Sequence, residues 1–305
     1  MPSAADLAPR LQQSLLLDWD DPLLRGPLFV ADDGTARKKL ADLAGARSDG
    51  ALTWSAFRTL MRFPAGVWLP RLLGLPAEGR AWEPATLDFW VRTPPPPSRL
   101  LWLLDHLGAL EFYDSRQEAA ATARLQRVAA SLDRWRAQAA AGAERGDGIL
   151  EPPFEADVVV TTPAVTVVVA GLYRHDIEAR TAWDPQRDAI ARGLDAALDL
   201  AGDAREPWYL LVTDDYRHES AEARPPAYER LVPAYQHDAA FRARQLAHRS
   251  PAALARLDGH VRWLSWADLM DDVLDASAAL NGPQRLLLRR LVDYLKDRRL
   301  LFKGG

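Results

Sequence analysis

The stretch FEADVVVTTPAVTVVVAGLYRHD, residues 154–176, decides the fold of this chain. It contains two runs rich in β-branched residues, 158–161 and 165–169, and a Thr162-Pro163-Ala164 break separates them. Valine and threonine lose little by being extended and more by being helical, so the stretch predicts two neighbouring strands in a hairpin. Residues 167–169 are apolar on both faces of the pleat, which favours an interior strand.

An acidic residue and several later segments extend this pattern. Asp157 opens the first strand, and four further segments follow: TAWDPQRDAIARGLDAAL (181–198), PWYLLVTDD (207–215), VRWLSW (261–266) and RRLLFKG (298–304). From about residue 117 onward this set resembles the PD-(D/E)XK nucleases, the restriction-endonuclease-like superfamily. The resemblance implies an α/β fold in which residues 116–305 form a restriction-endonuclease-like core, with a central mixed sheet flanked by helices. Residues 1–115 are predicted to be a helix-rich N-terminal region.

The second strand departs from the family pattern. Where the family carries Glu-x-Lys, this chain has Ala170-Gly171-Leu172. Hydrolysis in the family needs two carboxylates to hold a divalent metal and a cation to help activate water, and alanine and leucine do neither. The resemblance therefore implies a catalytically degenerate protein that binds nucleic acid or a protein partner and needs no cofactor. Asp157 is its remaining catalytic-site acid and its one candidate metal ligand.

Composition limits the possible functions. The chain has 305 residues, of which 48% are hydrophobic and 26% charged, and its net charge is -4. A protein that coats nucleic acid non-specifically usually has a strong basic excess, so only a local basic groove remains open. The absence of cysteine excludes disulfides and thiolate chemistry. No signal-peptide pattern and no membrane-spanning run occurs, so we expect a cytoplasmic protein without a membrane partner.

Lysine is scarce in this chain. The four lysines are Lys38, Lys39, Lys296 and Lys303, against 34 arginines. Since no lysine lies between residues 40 and 295, the family's catalytic lysine has not simply moved to a neighbouring position in the predicted core. Arginine would have to replace it, and arginine is poorly suited to proton transfer.

Several polar residues near the hairpin are candidate binding residues. The helix predicted after the hairpin, with Asp184 as its cap, lies beside the active site in the family, where its polar residues touch phosphate or metal-bound water. The same residues also fit an ordinary exposed helix face. The candidates are Glu155, Arg174, His175, Gln186, Arg187 and Arg192.

Two alternatives to a silent nuclease remain open. In the first, an active Mg²⁺-dependent endonuclease uses displaced ligands, with Glu155, Asp157 and Asp176 as carboxylates and Arg174 or His175 as the cation. In the second, the chain is a scaffold or regulatory subunit of a larger assembly. The sequence also leaves open whether Ala170 and Leu172 are natural or introduced. Arginines interleaved with aromatic residues between 225 and 249 fit either a base-stacking surface or helix packing.

Overall fold

The computed structural model describes residues 9–16, 34–45, 48–106, 151–181, 186–214 and 225–301, apart from residue 12, together with residue 184 and a few positions between 107 and 150. The long amphipathic helix predicted at 116–141 lies outside the continuously described residues.

A five-stranded mixed sheet forms the centre of the fold. Its order follows the sequence: the first three strands are antiparallel neighbours, and the last two run parallel to the third. The predicted hairpin and the α/β class are thus confirmed. The strands are β1 (Thr86–Thr93), β2 (Phe154–Thr161), β3 (Val165–Gly171), β4 (Glu206–Thr213) and β5 (Val261–Ser265).

Helices pack on both faces of the sheet. They are α1 (Gly34–Leu43), α2 (Asp49–Leu60), α3 (Ala65–Leu73), α4 (Pro97–His106), α5 (Ala189–Ala201), α6 (Ala227–His237), α7 (Ala239–Gln245), α8 (Pro251–Ala255), α9 (Trp266–Asp275) and α10 (Gly282–Asp297). One apolar cluster joins β2, β3 and β4 to α2, α3, α9 and α10, and a second joins them to α5 and α6.

The helix after the hairpin begins later than the sequence predicts. Asp188, not Asp184, caps α5, since its carboxylate accepts a hydrogen bond from Ala191 N at 2.9 Å. Asp184 instead accepts from Gln186 N at 2.9 Å and pairs with buried Arg99. The prediction failed because both aspartates are good caps locally and only a long-range ion pair decides between them.

The region predicted to be a helix-rich N-terminal part, residues 1–115, contributes a strand to the central sheet. Strand β1 pairs with β2 from Thr86↔Thr161 to Thr93↔Phe154, and α2 lies against β2 and β3. The division between residues 115 and 116 stays a prediction.

Close packing fixes α5 on the sheet. A Cβ added at Gly193 would lie 2.1 Å from the ring of Tyr209 on β4, so the helix approaches the strand only because glycine stands there.

Candidate functional site

Asp157 lies where strands β2 and β3 separate. The β2–β3 pairing ends at Val158↔Val169, and beyond it the Asp157 carboxylate accepts a hydrogen bond from Gly171 N at 2.8 Å. Leu172 N points the other way and donates to Val212 O of β4 at 2.8 Å. The Asp157 side chain thus takes the place that the main chain of β2 would have occupied.

A second carboxylate occupies the same edge of β3. Tyr173 N donates to Asp49 Oδ1 at 2.7 Å, across 124 residues of sequence. Asp49 is the first residue of α2, where the helix dipole favours an anion, and Ser48 caps that helix by accepting from Ala51 N. The negative charge of Asp49 repels that of Asp157, so the two carboxylates lie near each other beside the end of β3.

The environment makes both carboxyl groups harder to ionise. Burial raises the pKa of Asp157 to about 6, and repulsion from Asp49 and Glu155 adds to it, while the Gly171 hydrogen bond and Lys39 oppose it. Burial also raises the pKa of Asp49, against the opposing effect of His175. The sequence could not indicate Asp49, because its role depends on how α2 docks on the sheet.

A lysine reaches this cluster from outside the predicted core. Lys39 on α1 donates to Glu155 Oε1 at 2.9 Å, and its ammonium lies 5.2 Å from the ring centre of Trp90. The pair is partly exposed and worth less than about 1 kcal/mol in stability. The scarcity of lysine is the one feature of the sequence that could have indicated Lys39 as a site residue, since Lys39 directly precedes the lysine-free residues 40–295.

His175 joins α2 to the loop after β3. Its Nε2 contacts the Asp49 carboxylate, and its Nδ1 lies 3.0 Å from the carbonyl oxygen of Asp176. Since both ring nitrogens face acceptors, the imidazolium form is favoured. Burial lowers the pKa of His175, but its hydrogen bonds to Asp176 and Asp49 and the charge of Asp49 outweigh burial, and the net shift is upward.

The other predicted residues of this loop bind the main chain or pack on a ring. Asp176 accepts from Ile177 N and from Ala227 N at the start of α6. Arg174 has a positive φ of 62°, its N–H donates to Asp214 Oδ2 at 3.0 Å, and its guanidinium lies over the ring of Tyr173. These contacts hold the loop against β4 and α6.

Ala170 and Leu172, the positions of the missing Glu and Lys, pack against the apolar cluster of α5 and α6. Leu172 O accepts from Trp266 Nε1 at 3.0 Å. Between them, a Cβ at Gly171 would lie 2.2 Å from Thr53 Oγ1 on α2. The three positions therefore serve packing of helices on both faces of β3.

Arg187 and Arg192 are engaged by groups of the protein itself. Arg187 Nε donates to Glu151 at 3.1 Å, its Nη2 contacts Asp195, and its side chain is 2% exposed. Arg192 Nη2 donates to the carbonyl oxygens of Pro152 and Pro153. Of the two interpretations left open for Arg187, the exposed helix face is wrong, because Arg187 lies before the start of α5 and its side chain is buried among carboxylates.

Gln186, the remaining candidate on this segment, is exposed, and its role in binding stays a prediction. Ligand binding by Arg187 would require breaking its buried ion pairs.

The buried ion network around Glu151 is part of the core. Arg99 bridges Glu151 at 2.8 Å and Asp184 at 2.7 Å, while Arg249 Nε bonds Asp195 at 2.6 Å. Burial alone would raise the pKa of Glu151, but the neighbouring arginines lower it below its usual range. Loss of any one partner removes part of the charge compensation of the remaining buried groups, so it should destabilise the fold.

Two tyrosines and one arginine of the segment between 225 and 249 are used in packing. Tyr228 and Tyr235 are fully buried, and Tyr235 OH donates to Asp188 at 2.9 Å. Arg242 is buried and donates to Tyr235 O at 2.7 Å. The tyrosine rings are therefore not available to stack on bases.

Within the described part of the chain, no group of three or more His, Cys, Asp or Glu side chains is arranged to hold a metal ion. Magnesium completes a near-octahedral shell largely with water and is often held by only one or two carboxylates, so Asp157 as a metal ligand stays a prediction. No helix among the described residues has the length and apolar character to cross a membrane.

Comparison with known proteins found no matching family model, curated protein or solved structure.

Proposed function

We propose that this protein has a restriction-endonuclease-like fold, has lost phosphodiester hydrolysis and binds nucleic acid. The mixed sheet flanked by helices is the architecture that the resemblance implies. Asp157 lies on β2 at the point where the neighbouring strand leaves it, beside the positions of the missing Glu and Lys. These features support the proposed fold, and they support a lost catalytic site at one end of the β2–β3 pair.

The observation that carries the loss of hydrolysis is the use of the two carboxylates. Asp157 is hydrogen-bonded to Gly171 N, and Asp49 is held by Tyr173 N and by His175. Strand β3 adds no acid of its own. This use of the two carboxylates as acceptors for main-chain N–H groups beside the end of β3 supports the loss of hydrolysis.

A cleavage assay tests the proposal directly. The full chain is incubated with single-stranded DNA, duplex DNA or RNA in Mg²⁺ or Mn²⁺, beside an Asp157→Ala variant. We expect equal, background product from both proteins, and nucleic-acid binding that persists in EDTA. EDTA-sensitive cleavage that disappears in Asp157→Ala would reject the loss of hydrolysis.

One observation favours an active endonuclease as the second candidate. A lysine and a further carboxylate, Lys39 and Asp49, reach the neighbourhood of Asp157 from the N-terminal helices. If cleavage is seen, Lys39→Gln and Asp49→Asn should abolish it, whereas Asp176→Asn should not. The reverse result would favour the displaced set that includes Asp176.

The surface gives little support to a scaffold role. Among the described residues the exposed large hydrophobic side chains are Leu274, at 40%, and Leu286, at 61%. Protein-binding patches are usually contiguous apolar areas of a few hundred Å². Two separate leucines do not form such a patch.

A further inference from the structure

The outward face of α10 carries a stripe of basic side chains. Arg285, Arg289 and Lys296 are all exposed. At 3.6 residues per turn they fall within about 40° of one another and extend over about 16 Å of the helix axis. The buried face of α10 lies on the other side and consists of Leu288, Leu291, Tyr294 and Leu295.

Positive charge is concentrated in this part of an acidic chain. Between Gly282 and Arg299 there are six basic and two acidic residues, whereas the whole chain has a net charge of -4. Within the part of the chain that the structure describes, no hydrogen bond or ion pair engages the side chains of Arg285, Arg289 or Lys296. Their side chains therefore face solvent without a direct ion pair to the described residues, and the nearest acid on the same face of the helix is Asp293, one turn from Arg289 and from Lys296.

The stripe leads toward the carboxylate cluster. Helix α10 lies along α2, because Gln284 Nε2 donates to Arg62 O just beyond the end of α2 and Tyr294 OH donates to Ala51 O in its first turn. Past the end of α10, Arg298 O accepts from Tyr173 OH at 3.2 Å. Tyr173 N is the group that holds Asp49. A nucleic-acid strand bound along the basic stripe would therefore run toward Asp157 and the positions of the missing Glu and Lys.

The partner that fits this face is a polyanion with regularly spaced charges. A membrane-surface helix needs an apolar face turned outward, and the apolar face of α10 is buried apart from Leu286. Arginine and lysine in a row along an exposed helix suit the phosphates of a nucleic-acid backbone.

We propose that the outward face of α10, through Arg285, Arg289 and Lys296, binds the sugar-phosphate backbone of a nucleic acid without reading its sequence. The inference deepens the proposed function and rests on it. Each of the three side chains neutralises one phosphate and releases condensed counterions, so the affinity depends steeply on salt.

Salt dependence of binding tests the inference. Fluorescence anisotropy with labelled single-stranded DNA, single-stranded RNA and duplex DNA gives the slope of log K against log salt for the full chain. In the triple variant Arg285→Gln, Arg289→Gln, Lys296→Gln that slope should become shallower by about 2.7 on duplex DNA and by about 2.1 on single strands. Between about 50 and 200 mM salt, the wild type should lose about 40-fold more duplex affinity than the variant.

A control variant removes the same charge elsewhere. Glutamine and arginine have similar helix propensities, so both variants should keep the wild-type melting temperature. The control should also keep the wild-type salt slope. Its three exposed arginines lie outside α10 and outside the segment 225–249: Arg71→Gln, Arg134→Gln and Arg136→Gln.

The outcomes separate the two proposals. Absence of binding by the wild type would reject the proposed function and the inference together. Binding with an unchanged slope in the triple variant, or an equal change in the control, would overturn the α10 surface and leave the proposed function standing. Charge-dependent binding to anionic lipid vesicles, with none to nucleic acid, would assign α10 to a membrane surface and overturn the inference.

Discussion

Replacing Asp157 with asparagine should stabilise the protein at neutral pH. The folded state raises the pKa of Asp157 from 3.8 to about 6, chiefly through burial. A raised acid pKa means that ionisation opposes folding, and a rise of this size corresponds to about 3 kcal/mol of unfolding free energy. Asparagine accepts the same hydrogen bond from Gly171 N through its amide oxygen and carries no charge to desolvate.

The pH range of the effect follows from the sign of the shift. Below the unfolded-state pKa, near 4, Asp157 is neutral in both states and adds no penalty. As pH rises from about 4 to above 6, its ionisation lowers the unfolding free energy by up to about 3 kcal/mol, and above that range the penalty is constant. The difference between Asp157→Asn and wild type should therefore grow from pH 4 to pH 7 and then level off.

Urea denaturation at a series of pH values measures this difference. Asp188 and His175 also have raised pKa values, so the wild-type curve alone contains several titrations. Subtracting the wild-type curve of unfolding free energy against pH from that of Asp157→Asn isolates the effect of Asp157 ionisation. The variant Asp157→Ala also loses the hydrogen bond from Gly171 N, so comparing it with Asp157→Asn separates the effect of the charge from that of the hydrogen bond. A difference that stays flat between pH 4 and pH 7 would refute the idea that burial disfavours this charge.

Three further changes probe the packing and the ion pairs. Arg187→Met should lower the unfolding free energy by about 3 to 5 kcal/mol, because it removes the buried cation that Glu151 and Asp195 share, and denaturation would reveal this. Gly193→Ala should cost about 1 to 3 kcal/mol by forcing α5 away from the Tyr209 ring, seen as a lower melting temperature. His175→Gln should destabilise the protein at pH 6 and progressively less at higher pH. The pKa of His175 is higher in the folded state than in the unfolded state, so its stabilising contribution is complete below the unfolded-state pKa and is lost as pH rises through the folded-state pKa. Equal losses of stability at pH 6 and pH 9 would contradict the pairing with Asp49.

The hairpin strands β2 and β3 were predictable from local sequence, whereas β1 and most of the site were not. The valine runs of β2 and β3 leave few alternatives to extended neighbours, and the structure pairs them in a hairpin. Asp49 and Lys39 reach the hairpin across more than 100 residues, and only the docking of α1 and α2 brings them there. Local pattern carries no information about such a contact.

The burial of Arg187 is a second case in which the local sequence pattern does not predict where a side chain lies in the fold. In a helical pattern an arginine off the apolar seam predicts solvent exposure, and by that rule Arg187 belongs at a surface. Its burial depends on Glu151 and Asp195, one of which lies 36 residues earlier in the chain. A charged residue enters a core only with its partners, so its position is a property of the assembled fold.

The charge of Asp157 separates two possible roles of this residue: an acceptor that ends the hydrogen-bond ladder between β2 and β3, and a remnant of a catalytic site. The fold at this point needs an acceptor for Gly171 N, and an uncharged amide would supply it without the cost of burying a carboxylate. Burial also raises the pKa of Asp49, but there the helix dipole of α2 and the neighbouring His175 oppose the effect of burial. The charge of Asp157 therefore goes beyond what packing requires, and under the proposed function it is the residue at which the lost metal chemistry would have been anchored.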